Sequence, residues 1–551
     1  MEKNRWYKDK VFYQIWPRSF KDGNNDGMGD LIGVYEKLDY IKSLGCDGIW
    51  FSPLYPSPGV DCGYDISNYL DIASEFGGME AFKQVLDGAH ERGMKVIMDL
   101  VVNHTSTEHE WFKKSRERIE PYTDYYIWRE GKNNKLPNNW DSLFEGKAWK
   151  YDEVRKEYYM HLFAIEQADL NMDNPLVREE VKKILRFWLD LGVDGFREDV
   201  ITFISKKEGL PNDYLMPASK GFFYFNHGPH LHEYLEEFNR DVFSHYDCMI
   251  LAEAPMVTPK KALEYIDESN NPVLDMMIQF KTQEADCLFT DFNHVPFSLR
   301  RLKKAYSSWQ NKLEGKGWNM LYIENHDHPR MVSRYGSEKF REESAKMLAV
   351  SYLFLKGTPF IYQGQEIGMT NMQVNSLDDF IDIETINVRK TMNKLPLTKK
   401  YIDKSIKNGS RDNSRVPMHW DDSEYAGFSN SKPWLKVNEN KSFINVKQSQ
   451  NDPSSILNYY KKLIKVYKEY GDIVRDGIYL DLLPNDKKLF TYERRLGDKI
   501  LLVVSNFSNS NIKCDILDNY KEFNKEVLLN NYDNESNELK PYQSILYYLS
   551  K

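Results

Sequence analysis

Eight short apolar runs alternate with amphipathic segments along this 551-residue chain. Continuous apolar runs of this length are typical of strands buried on both faces, and the segments between them carry apolar residues at helical spacing. The runs cover residues 11–16, 48–53, 95–102, 192–199, 249–255, 275–280, 320–327 and 358–366. Eight strands that alternate with helices predict a (β/α)8 TIM barrel of the α/β class.

The clearest helical segments between these runs share one apolar stripe at a period of 3.6 residues. They cover residues 79–92, 174–191, 230–245 and 338–355. Asp173-Asn174-Pro175 indicates where the second of them begins, because asparagine caps a helix start and proline fits the first turn.

Two departures from the strand–helix repeat predict further domains. About seventy residues rich in aromatic and polar side chains separate the third strand from the next helix, and loops of that length are usually functional or folded in their own right. Alternating patterns near the end of the chain predict an antiparallel β-domain. The predicted domains are the catalytic barrel (1–103 and 174–475, with an irregular polar extension over 371–455), an inserted domain B (104–173) and a C-terminal β-domain (476–551).

The charge balance limits the partners of the chain. A net charge of −9 argues against nucleic acid or an anionic membrane as the main partner. The amino terminus has no apolar signal segment, and no run approaches the length of a membrane span. Five cysteines, at positions 46, 62, 248, 287 and 514, show neither metal-site spacing nor a disulfide framework. We therefore expect a soluble, cytoplasmic protein.

Three acidic residues lie at the carboxyl ends of the fourth, fifth and seventh apolar runs. Asp199 and Asp327 are the last residues of their runs, and Glu253 lies two residues before the end of its run. In a parallel barrel the carboxyl ends of the strands converge on one face, where active sites are built. Crowded carboxylates shift one another's pKa, which suits a site that needs an acid beside a base. An acid and a nucleophile can cleave a glycosidic bond, and a third carboxylate can stabilise the positive charge of the transition state.

Neighbouring residues refine these roles but leave alternatives open. Arg197 lies two residues before Asp199 on the same side of the strand and could keep its carboxylate ionised, or the two could form a structural ion pair. Glu253 ends a hydrophobic run, where partial burial would raise its pKa, or it could face solvent. His104 and His326 follow strands and could donate hydrogen bonds to substrate hydroxyls, or they could be structural.

The chain resembles the α-amylase superfamily of glycoside hydrolases (family 13), and within it the oligo-1,6-glucosidase and α-glucosidase group. The resemblance covers nearly the whole chain and implies that Asp199 is the nucleophile, Glu253 the general acid/base and Asp327 the transition-state stabiliser of a retaining mechanism. The segments that carry it include Asp99-Leu-Val-Val-Asn-His104, Gly195-Phe-Arg-Glu-Asp-Val200, Asn325-His-Asp327 and Gly364-Gln-Glu-Ile-Gly-Met-Thr-Asn371.

The same resemblance implies a pocket for the non-reducing glucose. Tyr64 is expected to stack on the sugar ring, while Asp61 and Arg415 bind its outer hydroxyls and block longer chains. Gln167 and Val200 resemble the α-1,6-specific members, because threonine replaces this valine in α-1,4-specific ones. The implied pocket residues are Asp61, Tyr64, His104, Arg197, His326 and Arg415.

A polar loop after the first strand matches the calcium loop of this family. Its oxygen donors alternate with glycines, which is the pattern that a hard cation needs. The resemblance implies a structural Ca²⁺, with Mg²⁺ as the other option, whereas an Asx-Gly turn without an ion is the alternative. The implied ligands are Asp22, Asn24, Asp26, the carbonyl of Met28, and Asp30.

Four positions depart from the group pattern and leave the substrate open. Glu198 replaces an apolar residue and is expected to need a buried partner, and Met172 stands where tryptophan is common. Cys62 and His328 replace a common asparagine and a common glutamine near the pocket.

The leading hypothesis is a retaining exo-α-glucosidase that acts on isomaltose-type oligosaccharides, with a small oligosaccharide or disaccharide as its partner. A trehalose-6-phosphate hydrolase, an α-1,4-glucosidase and a sucrose hydrolase or isomerase are alternatives, with Lys206 and Lys207 as candidate phosphate contacts. A non-catalytic binding barrel is an alternative of another class, and the oligomeric state stays open.

Overall fold

The computed structural model describes residues 5–131, 135–288, 290–533 and 538–551. Parts of the predicted domain ranges that fall in the gaps, and the first four residues of the amino terminus, lie outside the described residues. Among the described residues, no helix is both long and apolar enough to cross a membrane.

Eight parallel strands form one sheet that closes on itself. Hydrogen-bonded neighbours follow the order β6-β5-β4-β3-β2-β1-β8-β7, and a parallel bridge between Met277 and Asn319 joins the two ends. This confirms the predicted (β/α)8 barrel and all eight of its strands. The strands are β1 (Phe12–Ile15), β2 (Gly48–Phe51), β3 (Lys95–Leu100), β4 (Gly195–Glu198), β5 (Met249–Glu253), β6 (Met276–Ile278), β7 (Met320–Leu321) and β8 (Thr358–Tyr362).

Large side chains fill the barrel interior. The rings of Phe12 and Phe360 stack with centroids 4.8 Å apart, and both belong to a buried cluster with Trp50 and Ile97. A Cβ on Gly48 would lie 2.4 Å from the Phe12 ring, so this aromatic occupies the space that glycine leaves. The barrel is therefore a packed core, and its chemistry is confined to the ends of the strands.

The predicted helices are present with slightly shifted ends. Asn174 caps its helix by accepting a hydrogen bond from the backbone N–H of Leu176, which confirms the predicted start. The helices up to residue 353 are Leu31–Glu36, Leu38–Ser43, Gly78–Glu91, Glu110–Arg116, Pro175–Leu191, Phe222–Phe225, Leu231–Asp241, Pro259–Ile266, Leu299–Leu313, Met331–Arg334 and Arg341–Leu353.

The segment between β3 and the helix Pro175–Leu191 has two sheets of its own. His104–Ser106 pairs with Gln167–Asp169, so the segment leaves and rejoins the barrel through one antiparallel ladder. A second sheet contains Trp128–Arg129, Glu157–Met160 and Trp149–Asp152. Domain B with boundaries at residues 104 and 173 stays a prediction, and this ladder supports it.

The prediction of an irregular extension over residues 371–455 is wrong in part, because the segment contains four helices. Lys399–Gly409 buries Ile402 and Ile406, one turn apart, and Ser405 donates a hydrogen bond to the carbonyl of Phe292. The sequence of this helix is mostly polar and carries only a narrow apolar stripe. Such a stripe stabilises a helix only when it packs against another surface, so it was not recognised from the sequence. The four helices are Ile383–Met392, Lys399–Gly409, Asp412–Arg415 and Val446–Asn451.

The chain ends in a five-stranded antiparallel sheet, preceded by the helices Ile456–Glu469 and Gly471–Asp476. This sheet agrees with the predicted C-terminal β-domain. In spatial order its strands are Ile478–Asp481, Leu489–Leu496, Lys499–Asn506, Ser544–Ser550 and Asn524–Asn530. The described residues also contain two short, separate antiparallel strand pairs. They are Cys287–Leu288 with Thr290–His294 and Ile512–Lys513 with Glu538–Leu539.

Candidate active site

Arg197 is the central cation of the carboxyl face. The parallel register aligns it with Asp99 on β3 and with Leu251 on β5, so acidic side chains of three adjacent strands surround it. One terminal nitrogen of its buried guanidinium lies 2.6 Å from Asp199 and 3.3 Å from Asp99, and the other lies 2.5 Å from Glu253. The structure therefore brings together the three residues that the sequence predicts as nucleophile, acid/base and their charge partner.

Burial controls the titration of this carboxyl pair. It raises the pKa of Asp199, against the lowering effect of Arg197 and with the raising effect of the Glu253 charge. It likewise raises the pKa of Glu253, again against Arg197 and with the charge of Asp327. Because two close carboxyls titrate as one system, the pair keeps a shared proton to higher pH than free carboxylic acids do. One member can then act as an acid while the other is ionised.

Val200 forms the turn directly after the predicted nucleophile. Its φ of 34° and ψ of 39° lie in the left-handed region, where a β-branched residue is strained by about 1–3 kcal/mol. This conformation directs its backbone N–H to Glu253 Oε2 at 3.0 Å. The strain is thus tied to the position of the predicted general acid.

Asp327 is held in the opposite protonation state. Burial works to raise its pKa, but the nearby His326, Arg411 and Arg415 outweigh that effect and lower it below the ordinary range. Burial keeps the pKa of His326 itself well below its usual value, so the guanidinium charges supply the stabilisation at neutral pH. Asp327 is therefore a permanent negative charge, as stabilisation of a cationic transition state requires.

Tyr64 and His326 form a stacked pair beside Asp99. Their rings stack with centroids 5.6 Å apart, and the Tyr64 hydroxyl lies 2.6 Å from both Asp99 Oδ2 and His326 Nε2. Gln14 holds the other ring nitrogen of His326 at 2.7 Å. The predicted stacking of Tyr64 on a sugar ring stays a prediction, and the fixed orientation of its ring suits that role.

Asp61 and Gln167 form a second part of the predicted sugar-binding site. The Gln167 amide nitrogen lies 3.2 Å from Asp61 Oδ2 and 3.1 Å from His104 Nε2. Burial raises the pKa of Asp61 to about 6, although Arg411 and Arg415 lower it. Arg415 contacts Asp327 at 3.3 Å. All eleven residues that the sequence predicts for catalysis and sugar binding therefore lie in one connected network.

Sequence reasoning missed Arg411, which joins the two halves of this network. Its guanidinium lies 2.9 Å from Asp61, 2.5 Å from Asp382 and 3.7 Å from Asp327. Arg411 precedes Arg415 by four residues, and this spacing was the available signal. Asp99 was also missed, although it opens one of the segments that carry the family resemblance.

The predicted metal loop is closed by its own hydrogen bonds. Asp22 accepts from the N–H groups of Asn25 at 2.6 Å and Gly27 at 2.8 Å, and from the hydroxyl of Ser429. Asp30 caps the helix Leu31–Glu36 and also accepts from loop N–H groups, whereas Asn24 and Asp26 are exposed. The donors have the chemistry that calcium prefers, but in this geometry the two buried carboxylates serve the turn.

One other group of carboxylates among the described residues has metal-like proximity, and a lysine explains it. Glu179, Glu237 and Asp241 lie within reach of a single ion. The ammonium of Lys182 contacts all three, with distances of 2.8 Å to Glu237 and 2.9 Å to Asp241. These carboxylates are a structural ion-pair cluster.

The departures from the group pattern have separate structural settings. Glu198 is fully buried, as its orientation on β4 predicts. Cys62 has a φ of 51°, a conformation that asparagine tolerates better, and burial raises the pKa of its thiol to about 11. Met172 is buried in the main core. His328 lies beside Asp291, with 2.6 Å between Nδ1 and Oδ2.

Two neighbouring carboxyls of raised pKa and a third, permanently ionised carboxylate at the carboxyl face of a (β/α)8 barrel are the catalytic groups of a glycoside hydrolase. The chain belongs to the α-amylase family, whose model "Alpha amylase, catalytic domain" matches residues 14–477.

Curated relatives and solved structures match along the full chain. It is 50% identical to the oligo-1,6-glucosidase of Parageobacillus thermoglucosidasius, over 97% of this chain and 96% of that one. It is 47% identical to the oligo-1,6-glucosidase of Bacillus cereus, over all of both chains. The structure resembles a trehalose-6-phosphate hydrolase mutant of Bacillus licheniformis (TM-score 0.94, 42% identity, all of both chains) and an isomaltulose synthase of Klebsiella (TM-score 0.94, 40%, 99% of both).

Proposed function

We propose that this enzyme is a retaining exo-α-glucosidase that removes glucose from the non-reducing end of α-1,6-linked gluco-oligosaccharides. The observation that carries the proposal is the polar cluster at the predicted glucose subsite. Asp61 binds both Gln167 and Arg411, and Arg411 connects it to Asp327. Polar groups that bind the outer hydroxyls of a terminal glucose favour cleavage from a chain end.

Retention is supported by the way one guanidinium holds both catalytic groups. Asp199 and Glu253 occupy the two terminal nitrogens of Arg197, which makes their carboxyls immediate neighbours. Retaining enzymes separate these groups by about 5–5.5 Å, whereas inverting enzymes need room for a water molecule between them. In the proposed mechanism Asp199 attacks the anomeric carbon, while Glu253 protonates the leaving oxygen and later deprotonates water.

Preference for the α-1,6 linkage is supported by Val200 and by the relatives. Val200 is only 7% exposed and directly follows the nucleophile, so its side chain shapes the space beside the scissile bond. The two relatives named above carry the name oligo-1,6-glucosidase. A shape difference of this kind is worth about 10- to 200-fold in selectivity.

The cations near the site favour a neutral substrate over a sugar phosphate. Arg197, Arg411 and Arg415 each face carboxylates. Lys206 is buried against Asp169 at 2.7 Å, and the ammonium of Lys207 lies over the Tyr224 ring. Four of these five cations already face carboxylates, and the exposed Lys207 is the one for which no carboxylate contact is described, so a sugar phosphate would find a single lysine here. This charge balance favours a neutral disaccharide over trehalose-6-phosphate.

A substrate panel tests the proposal. Initial rates of glucose release are measured with isomaltose, maltose, sucrose, trehalose and trehalose-6-phosphate, and sugar products are resolved to detect isomerisation. We expect the highest kcat/KM with isomaltose, and an α-configured glucose as the first product in a proton NMR time course. A higher kcat/KM with another sugar would refute the linkage assignment, and a first product of β configuration would refute retention.

We also propose that loop 22–30 binds a calcium ion that stabilises the start of the barrel. Its five oxygen donors support this, and the hydrogen bonds that Asn24 and Asp26 make within the loop are solvent-exposed, so an ion can replace them at low cost. Calcium should raise the Tm of the wild type but not that of Asp26→Ala, and EDTA should reverse the effect. Equal Tm values in calcium and EDTA would leave the loop as a hydrogen-bonded turn.

A further inference from the structure

His328 is oriented by the ion pair of Asp291 and Arg334, which is not among the catalytic residues. Its Nδ1 lies 2.6 Å from Asp291 Oδ2, and Arg334 contacts the other oxygen of Asp291 at 3.1 Å. Burial works to raise the pKa of Asp291, but Arg334 and His328 lower it to about 2, so this carboxylate is ionised at neutral pH. The imidazole therefore donates Nδ1–H to Asp291, and its orientation is fixed.

The other nitrogen of this ring has no hydrogen-bond partner among the described residues. His328 Nε2 is buried, and the Phe280 ring packs at 5.7 Å in an edge-on arrangement. A buried polar atom without a partner is costly, and such atoms occur where a ligand completes the bonding. With Nδ1–H bound to Asp291, Nε2 accepts a hydrogen bond when the ring is neutral and donates one when it is charged.

His328 is a direct neighbour of the predicted glucose subsite. It follows Asp327 in the chain and binds Asp291. Arg411 links Asp61, in the predicted glucose subsite, to Asp327 and to Glu384 at 3.4 Å. Burial raises the pKa of Glu384 to about 8, against Arg411 and with the charges of Asp291 and Asp327. The same polar groups therefore surround Asp327 and the residue that follows it.

We infer that His328, positioned by Asp291, is a specificity-determining residue that hydrogen-bonds a hydroxyl of the sugar unit beyond the scissile bond. The inference rests on the proposed glucosidase function for the first sugar, but it does not depend on which disaccharide is preferred. The cluster offers one imidazole nitrogen without a partner beside an ionised carboxylate. A neutral hydroxyl, which can donate or accept, is the group that such an atom recognises. Asp291 acts through His328 and is a positioning residue.

The experiment compares a disaccharide with p-nitrophenyl α-glucoside, whose leaving group carries no sugar hydroxyl. In His328→Phe we expect the ratio of kcat/KM for isomaltose to that for the nitrophenyl substrate to fall about ten-fold, as the loss of one hydrogen bond predicts. Asp291→Asn should lower the ratio in the same direction, and His328→Gln should recover part of it. His230→Phe is the matched control. The Nδ1 of His230 also lies beside a carboxylate, 3.0 Å from Glu233, but this pair is on the surface.

A structural role would give another result. If His328 only anchors the strand Thr290–His294, which carries Asp291, His328→Phe lowers the Tm and reduces both rates by the same factor. An unchanged ratio in a folded variant overturns the inference. If the wild type prefers another disaccharide, the proposed α-1,6 linkage is refuted. The ratio is then measured with the preferred sugar, so failure of the linkage proposal and failure of the His328 inference are distinguishable.

Discussion

At the scale of single residues, the site depends on an excess of negative charge around one guanidinium. Arg197 faces three carboxylates, and the register of β3, β4 and β5 brings two of them onto strands beside its own. One cation cannot balance three buried anions, so a proton stays on the cluster. At Asp327, the nearby His326, Arg411 and Arg415 outweigh the effect of burial, and the proton is lost. Carboxyl groups of the same type are therefore partly protonated around Arg197 and fully ionised at Asp327.

Removal of the predicted nucleophile should abolish turnover without loss of the fold. Asp199→Asn keeps the size of the side chain but cannot form the covalent intermediate, so we expect kcat to fall on the order of 10⁴-fold. The Tm should change by only a few degrees. Asp87→Asn, on the exposed face of the helix Gly78–Glu91, is the matched control and should keep full activity. Unchanged activity in Asp199→Asn would assign the observed activity to a contaminant.

The pH dependence should be bell-shaped, with both limbs displaced upwards. Activity needs one member of the Asp199–Glu253 pair ionised and the other protonated. Burial raises both pKa values, so activity is lost as the pH falls through the lower value and again as it rises through the higher one. A kcat/KM profile should place the acid limb above about 4, the value of a free carboxyl. A midpoint at or below 4 would contradict the dominant effect of burial.

At the scale of elements, β4 is specialised at both ends. The strained Val200 lies in the turn two residues after its end. The strand begins at Gly195, where a Cβ would lie 2.2 Å from the carbonyl oxygen of Met249 on β5. A side chain at position 195 would therefore push the two strands apart. The strand that carries Arg197 and the nucleophile is positioned by this close approach of two backbones.

Gly195→Ala should destabilise the barrel by at least about 2 kcal/mol, because overpacking against a strand backbone has no simple relief. Urea unfolding monitored by circular dichroism measures the change. Gly471→Ala is the matched control, since nothing lies within 4 Å of its added carbon, and it should unfold at the wild-type urea concentration. Equal midpoints for both variants would show that β4 and β5 can separate without cost.

At the scale of the whole molecule, Lys303 fastens the C-terminal sheet to the barrel. It lies fully buried on the helix Leu299–Leu313, and its ammonium donates hydrogen bonds to the carbonyls of Leu483 and Leu489. Arg494, also fully buried, reaches back to the carbonyl of Val474 at 2.7 Å. These contacts are long-range and polar, so they specify one docking geometry for the C-terminal sheet.

Lys303→Met should lower the free energy of unfolding by about 2–4 kcal/mol, because two buried carbonyls lose their donor. Differential scanning calorimetry should show a lower Tm, while kcat/KM at 25 °C stays at the wild-type value. Lys304→Met, an exposed neighbour on the same helix, should leave the Tm unchanged. A wild-type Tm in Lys303→Met would show that the sheet docks without this lysine.

The sequence by itself determined the architecture and the main catalytic residues. Periodicity is a local property, so eight apolar runs and their intervening helices were enough to predict the barrel. Strand ends are also local, and this placed Asp199, Glu253 and Asp327 on one face. The family motifs then added the pocket residues, from Asp61 to Arg415.

Only the tertiary structure decided which side chains meet across long distances in the chain. Arg411 binds Asp61 from 350 residues away, and Asp291 fixes His328 from 37 residues away. The helix Lys399–Gly409 became visible only with the surface that covers Ile402 and Ile406. Such contacts depend on how loops converge above the barrel, which cannot be predicted from the local spacing of residues in the sequence. The chemistry was therefore predictable from the strands, whereas substrate recognition is decided by the loops.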